Sequence, residues 1–306
     1  MAYRLVRGEF LLFNPNNPNG SGSEPDGDTI RFRPDNQALL ENFNLEDPTK
    51  PRSAKFNVFG STALRLEAID ALELHYANDK AQQEDAGARA ARKFLLQEAG
   101  FQQVTFKDKP SSKIKQTVVK SAAPHPRKGY LLTRSVDVNQ RPVCFVYAGT
   151  TNRPDGSEVF LDAPLLDKSI NARLAKEGHI FPTFYRGLPT DLRNRIIALV
   201  DQAWYANKGI WPRDVSMTGA TVSNLAQLEK LVLWPKLFRR LADYFLAGNQ
   251  GLAKFDAWLR DPQGKRDDAL WIASLAEFGN LHDVIKIAGN KITMKYWPED
   301  LIIIPK

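Results

Sequence analysis

Apolar and polar positions alternate along Tyr3–Phe13, and again along Asp28–Arg33, where Ile30 and Phe32 share a face; both segments are expected to be strands. Asn14–Pro25 between them is a polar loop of Asn, Pro, Gly and Ser. After a long connection over 36–62, Ala63–Ile69 reads as a further strand. Asn78–Ala99 is Ala-rich and runs into Gly100, which predicts a helix and its stop. Gln103–Phe106, Tyr130–Ser135 and Val143–Tyr147 are short β-prone runs. Ser169–Glu177 before Gly178 reads as a short helix, and Thr190–Asn207 as a longer one. In the longer helix Leu192, Ile196, Leu199, Val200, Ala203 and Trp204 form one apolar stripe.

The texture changes after Trp211-Pro212. Residues 214–222 are small and polar, as in a linker. Ser223–Ala247 reads as two helices, with Pro235 opening the second. Leu252–Arg260 and Asp267–Phe278 are expected to be helical. Val284–Met294 fits a hairpin turning at Gly289-Asn290, and Leu301–Ile304 a last strand. The pattern predicts an α+β chain in two parts, 1–213 and 214–306, the second mainly helical and ending in β structure.

Composition narrows the function classes. The 306 residues carry a net charge of +7, which favours acidic partners such as nucleic acid. The single cysteine, Cys144, allows neither an intrachain disulfide nor a Cys-rich zinc site, and its apolar neighbours suggest the core. No apolar run approaches the roughly 18 residues of a membrane span. With no apolar leader at the start, a soluble cytoplasmic protein without membrane partners is expected.

Three segments carry candidate chemistry. Asp26-Gly27-Asp28-Thr29 alone is an ordinary turn signal. Arg65-Leu66-Glu67-Ala68-Ile69-Asp70-Ala71-Leu72-Glu73 places an arginine inside an apolar strand, which is costly unless the charge is paired or faces a polar site. Asp137-Val138-Asn139-Gln140-Arg141 is a turn before a strand. Together, in this order and spacing, they resemble the thermonuclease (staphylococcal-nuclease-like) family. That family has an aspartate in a D-G-D-T turn, an arginine on a strand leading to D-x-x-E, and a second arginine after a later turn. The resemblance continues through Ser169–Gly178 and Lys208-Gly209-Ile210-Trp211, so it covers about residues 3–213.

The resemblance implies a five-stranded OB-fold barrel with helices, and a calcium-dependent, sugar-nonspecific nuclease cutting DNA, RNA or both. Asp28, Asp70 and the Ala71 backbone carbonyl would hold Ca²⁺, a hard cation suited to oxygen donors. Glu73 would position or deprotonate the attacking water, and Arg65 and Arg141 would meet phosphate charge. Phe184 and Tyr185 fall near the family's base-stacking tyrosines. The sequence departs from the family at Ala71 (commonly Thr), Leu72 (Pro) and Asn139 (often Tyr), and Tyr185-Arg186 is shifted.

The stretch Lys107–Lys128 is rich in lysine, including Lys113 and Lys115, and is expected to be an inserted arm that either grips the nucleic-acid backbone or is simply solvated. His75 reads as a loop histidine, and the four histidines show no ligand spacing. Lys236, Arg239, Arg240 and Lys254 read as a solvated basic face. The alternative to a nuclease is a non-catalytic OB-fold that binds single strands, or a scaffold recruiting a protein partner through 214–306.

Overall fold

The computed structural model describes residues 2–14, 22–110 and 112–304. Most of the expected Asn14–Pro25 loop therefore lies outside the described residues. The first part contains β1 (Ala2–Leu11), β2 (Arg31–Pro34), β3 (Thr62–Ala63), β4 (Arg65–Leu66), β5 (Ile69–Ala71), α1 (Asp85–Glu98), β6 (Gln103–Lys107), β7 (Val118–Ala123), β8 (Arg127–Val136), β9 (Pro142–Ala148), β10 (Glu158–Phe160), α2 (Ala163–Leu166), α3 (Ile170–Lys176), β11 (Ile180–Pro182), β12 (Phe184–Tyr185) and α4 (Thr190–Tyr205). The second contains β13 (Ala220–Thr221), α5 (Leu225–Leu228), α6 (Pro235–Leu246), α7 (Phe255–Arg260), β14 (Ala269–Ile272), β15 (Glu277–Asn280), β16 (Ile285–Ala288), β17 (Lys291–Met294) and β18 (Leu301–Ile303).

The main sheet runs β3-β2-β1-β8-β9-β4, with β10 also paired to β1. Its two ends, β3 and β4, are separated in the chain by Leu64 alone. The sheet must therefore curl until its edges meet, giving a nearly closed, barrel-like shape. Aromatic rings pack on both faces of β1. Tyr3 meets Phe145 edge-on at 5.9 Å between centroids, and Phe10 meets Phe32 at 5.6 Å. Gly129 on β8 makes room for the Phe10 ring, because a Cβ there would lie 2.4 Å from it.

Three segments differ from expectation. The strand expected over Ala63–Ile69 is broken, because Ala68 takes φ +71° and turns the chain out of β4 before β5 pairs with β11. Helix α1 starts at Asp85 rather than near Asn78, since Ala77, Asn78 and Asp79 are all left-handed (φ 52°, 58° and 63°) in a turn closed by Tyr76 and Ala81. The helix expected over Asp267–Phe278 is the β14–β15 hairpin. Leu270 and Ile272 are buried on one face of β14, which also pairs with β18, so tertiary pairing selects the two-residue period.

The change of texture at 213–214 is not a break in packing. One apolar cluster runs from Tyr3 through Trp234 to Ile303. β18 pairs in parallel with β12, Phe184 opposite Ile302. Among the described residues no helix is long and apolar enough to cross a membrane.

Candidate active site

The D-G-D-T turn is wedged against two elements. A Cβ on Gly27 would lie 2.5 Å from the Ala71 side chain and 2.7 Å from that of Ala91 on α1, so only glycine fits between β5 and that helix. Asp26 fixes the wedge by accepting from the N–H of Gly27 at 2.7 Å and of Leu74 at 3.2 Å. Asp28 then faces β5: one carboxylate oxygen accepts from the Thr29 hydroxyl at 3.0 Å, the other from the Ala71 N–H at 3.3 Å. The three residues of the expected metal set, Asp28, Asp70 and Ala71, therefore come together.

Glu73 is held by its backbone. Its N–H donates to the Gln83 side chain at 3.4 Å, and its carbonyl accepts from the Gln83 N–H at 2.6 Å. Gln83 is fully buried and its amide donates onward to the carbonyl of Leu233. The loop carrying Glu73 is thus tied to the approach to α6.

Arg65 and Arg141 meet at Asp137. Arg141 donates from Nε and Nη2 to Asp137 Oδ2 at 3.0 and 2.9 Å, and Arg65 Nη1 lies 3.8 Å from the same oxygen. Arg65 also lies over the Tyr185 ring, 4.3 Å from its centroid. Burial works against the Arg65 charge, but Tyr185, Asp70 and Asp137 hold it on, raising its pKa further. The strand pair that presents Arg65 is pinned from behind by Asn171 of α3, whose amide donates to the carbonyls of Glu67 and Cys144.

The third cation was not expected here. Arg239, assigned to a solvated basic face, projects from α6 into the carboxylates. Its Nη1 donates to Asp70 Oδ1 at 3.3 Å and to Glu73 Oε1 at 2.5 Å, and its Nη2 donates to Asp70 Oδ2. Its neighbours on the helix are paired as well: Lys236 Nζ lies 3.0 Å from buried Asp268, and Arg240 Nε 2.8 Å from it. The expected solvated face is wrong for these three residues, because acids from distant segments of the chain neutralise them.

Negative charge nevertheless dominates around Asp28. Burial pushes its carboxyl up to about 6, and Asp70 and Asp26 add to the shift. Burial likewise pushes Glu73 up to about 8; Arg239 opposes this, and Asp26, Asp70 and Asp28 add to it. Beside Arg65 and Tyr185 lies a cavity of about 360 Å³ that also reaches Glu67. Burial, then Glu46, raises the Glu67 carboxyl to about 8, and its Oε2 has no hydrogen-bond partner among the described residues.

The remaining expected site residues are dispersed. Phe184 is fully buried and cannot stack on a base, whereas Tyr185 next to it reaches Arg65. Lys113 and Lys115 are exposed on the loop between β6 and β7. The expected arm is a hairpin lying along α1, where Arg89 Nη2 donates to the Lys115 carbonyl at 2.9 Å and Arg92 Nη1 to that of Gln116 at 2.8 Å. His75 does find ligand-type neighbours: its ring, Glu24 and Asp79 bring donor atoms within 4.8 Å of one another. The Lys109 ammonium already sits there, 2.9 Å from Asp79 and 3.2 Å from Glu24.

No protein-family model matches this chain, and no curated protein matches it in sequence.

Proposed function

We propose that this chain is a calcium-assisted phosphodiesterase acting on nucleic acid, and that its sheet closed at Leu64 is an OB-type barrel of the thermonuclease kind. One observation carries the proposal: half-buried Asp28 and Glu73 gather with buried Asp70 where the D-G-D-T turn meets β5, with the Arg65 guanidinium in the electrostatic field of Asp70. The donor set suits a hard cation. Asp28 and Asp70 offer oxygens, and burial followed by repulsion from Asp70 raises the Asp28 pKa, a cost that added positive charge relieves. Ala71 turns its N–H to Asp28, and an extended residue presents its carbonyl on the same side. When bound, a divalent cation supplies screening and orientation of an anionic phosphate.

The other steps belong to the chain itself. Arg65, held by Asp137 and Tyr185, meets phosphate oxygens, and Arg141 is oriented from the same carboxylate. Glu73, whose pKa burial raises to about 8, accepts a proton from the attacking water in its ionised form. The proposed enzyme is sugar-nonspecific, as the family resemblance implies. A cytoplasmic setting belongs to the same proposal.

A second reading has one specific observation in its favour. Arg239 already compensates Asp70 and Glu73, as expected if the site were kept for binding strands without cutting them. Plasmid, single-stranded DNA and RNA incubated with Ca²⁺, with Mg²⁺ and with chelator decide between the two. Cleavage that requires Ca²⁺, and falls by roughly 10²–10⁴-fold in Glu73→Gln, supports the enzyme. Retention of labelled strands without cleavage supports the binding module. Undiminished cutting in chelator rejects the calcium mechanism.

A further inference from the structure

Arg239 reaches the carboxylates from the far side of the compositional boundary at 213, on a helix fixed in place. Pro235 opens α6, and Leu237, Phe238 and Leu241 are fully buried. Just before it, the Trp234 N–H donates to the Ser216 hydroxyl at 2.9 Å and the Leu233 carbonyl accepts from Gln83. The guanidinium is therefore a standing part of the site.

Its placement bears on cation binding. Both oxygens of Asp70 accept from Arg239, and so does one of Glu73. A hard cation coordinated by Asp70 sits about 2.3–2.6 Å from a carboxylate oxygen. That position lies next to the guanidinium, where two positive charges in a water-poor site repel strongly. Among the described residues no hydrogen bond joins Asp28 to Arg239; Asp28 accepts from the Thr29 hydroxyl and the Ala71 N–H, and feels the guanidinium only through its field.

We propose that Arg239 is a built-in rival of the divalent cation, resting here on the phosphodiesterase reading above: Ca²⁺ binds at Asp28 and Asp70 only by displacing the guanidinium from Asp70, so the C-terminal region sets the Ca²⁺ concentration at which the site fills. A chain with Arg239 in place needs more Ca²⁺ than the same carboxylates would without it.

The test is calorimetric titration of Ca²⁺ into the full chain as wild type, Arg239→Gln, Arg239→Lys and Asp28→Asn. Arg239→Gln is expected to bind Ca²⁺ roughly 10-fold tighter or more. Arg239→Lys, a single point charge unable to fork across two carboxylates, falls between it and the wild type. Asp28→Asn loses the binding. Equal or weaker binding by Arg239→Gln overturns the proposal, since it would make Arg239 a bystander or a helper. If Arg239→Gln does not fold, the wild type answers alone. The Arg239 Nε–H resonance, assigned by its absence in Arg239→Lys, must shift with Ca²⁺ occupancy, and a static resonance during calorimetric binding overturns the proposal. Ca²⁺-dependent cleavage without tightening in Arg239→Gln rejects this rivalry alone. Absence of both Ca²⁺ binding and cleavage in every variant rejects the phosphodiesterase reading with it.

Discussion

The Arg65 guanidinium lies over the ring of Tyr185, 4.3 Å from its centroid, and this contact joins the barrel strand β4 to the short strand β12. A cation held over a ring at a partly buried site gains about 0.5–2 kcal/mol. Tyr185→Ala is expected to lower kcat/KM for nucleic acid by roughly 3–30-fold, by loosening Arg65. Arg65→Ala should cost roughly 10²–10³-fold, as for a lost transition-state donor. Steady-state rates on a fluorescent oligonucleotide report both. Near-normal turnover in Arg65→Ala would remove this residue from the chemistry.

The β6–β7 hairpin presents Lys113, Lys115 and Lys120 to solvent. Replacing the three with Gln is expected to weaken strand binding alike for all sequences. It should also flatten the plot of log affinity against log salt by about 0.7–0.9 per lost phosphate contact. Filter binding at several salt concentrations measures this, and an unchanged slope would make the hairpin a solvated insertion.

His125 gives a stability prediction with a definite sign. Its Nε2 accepts from the Leu12 N–H at 3.0 Å, and its ring stacks on Phe13 at 3.8 Å. Burial lowers its pKa to about 4, with Glu9 opposing the shift and Arg33 assisting it. Between this value and the unfolded pKa of about 6.5, the unfolded chain binds the extra proton. The contribution is therefore fully present above pH about 6.5 and is lost as pH falls toward 4. Thermal melts at pH 7.5, 6 and 5 should show a fall in Tm that is shallower in His125→Gln. Parallel curves for the two proteins would show that His125 does not carry the effect.

A chain ending at Arg213 is expected to be insoluble or molten. It would lose β18 from β12, the fully buried Trp234 from the core, and the Leu233 carbonyl from Gln83. Such a deletion uncovers far more apolar surface than a monomer tolerates. Sedimentation and near-UV circular dichroism of the truncated chain test this, and a monodisperse, cooperatively melting product would show that 1–213 is a self-sufficient domain.

How much of this was legible in the sequence depends on the range of each interaction. Helices α3, α4 and α6 were readable because their periodicity and stops are local, as with Ser169 capping α3 through the Ala172 N–H. The grouping of Asp28 with Asp70 and Ala71 was what the family resemblance implied, and no local pattern of these residues pointed to it. Arg239 was not readable in its role. A basic residue on an amphipathic helix looks solvated until acids more than 160 residues away are brought to it, and Asp70 lies 169 positions off. The β14–β15 hairpin was missed for a related reason, since its alternation becomes decisive only beside β18. Phe184 and Tyr185 are adjacent, and only the strand's facing decides which of the two is open to a ligand.

The pairing of β12 with β18 also has a consequence for biosynthesis. Synthesis proceeds from the N-terminus and early segments collapse first, so β12 and the Arg65 site leave the ribosome long before Leu301–Ile303 exist. Until then β12 is an open edge able to recruit a strand from another chain. The nascent protein must therefore pass through a period in which this edge is uncovered, until β18 docks on it.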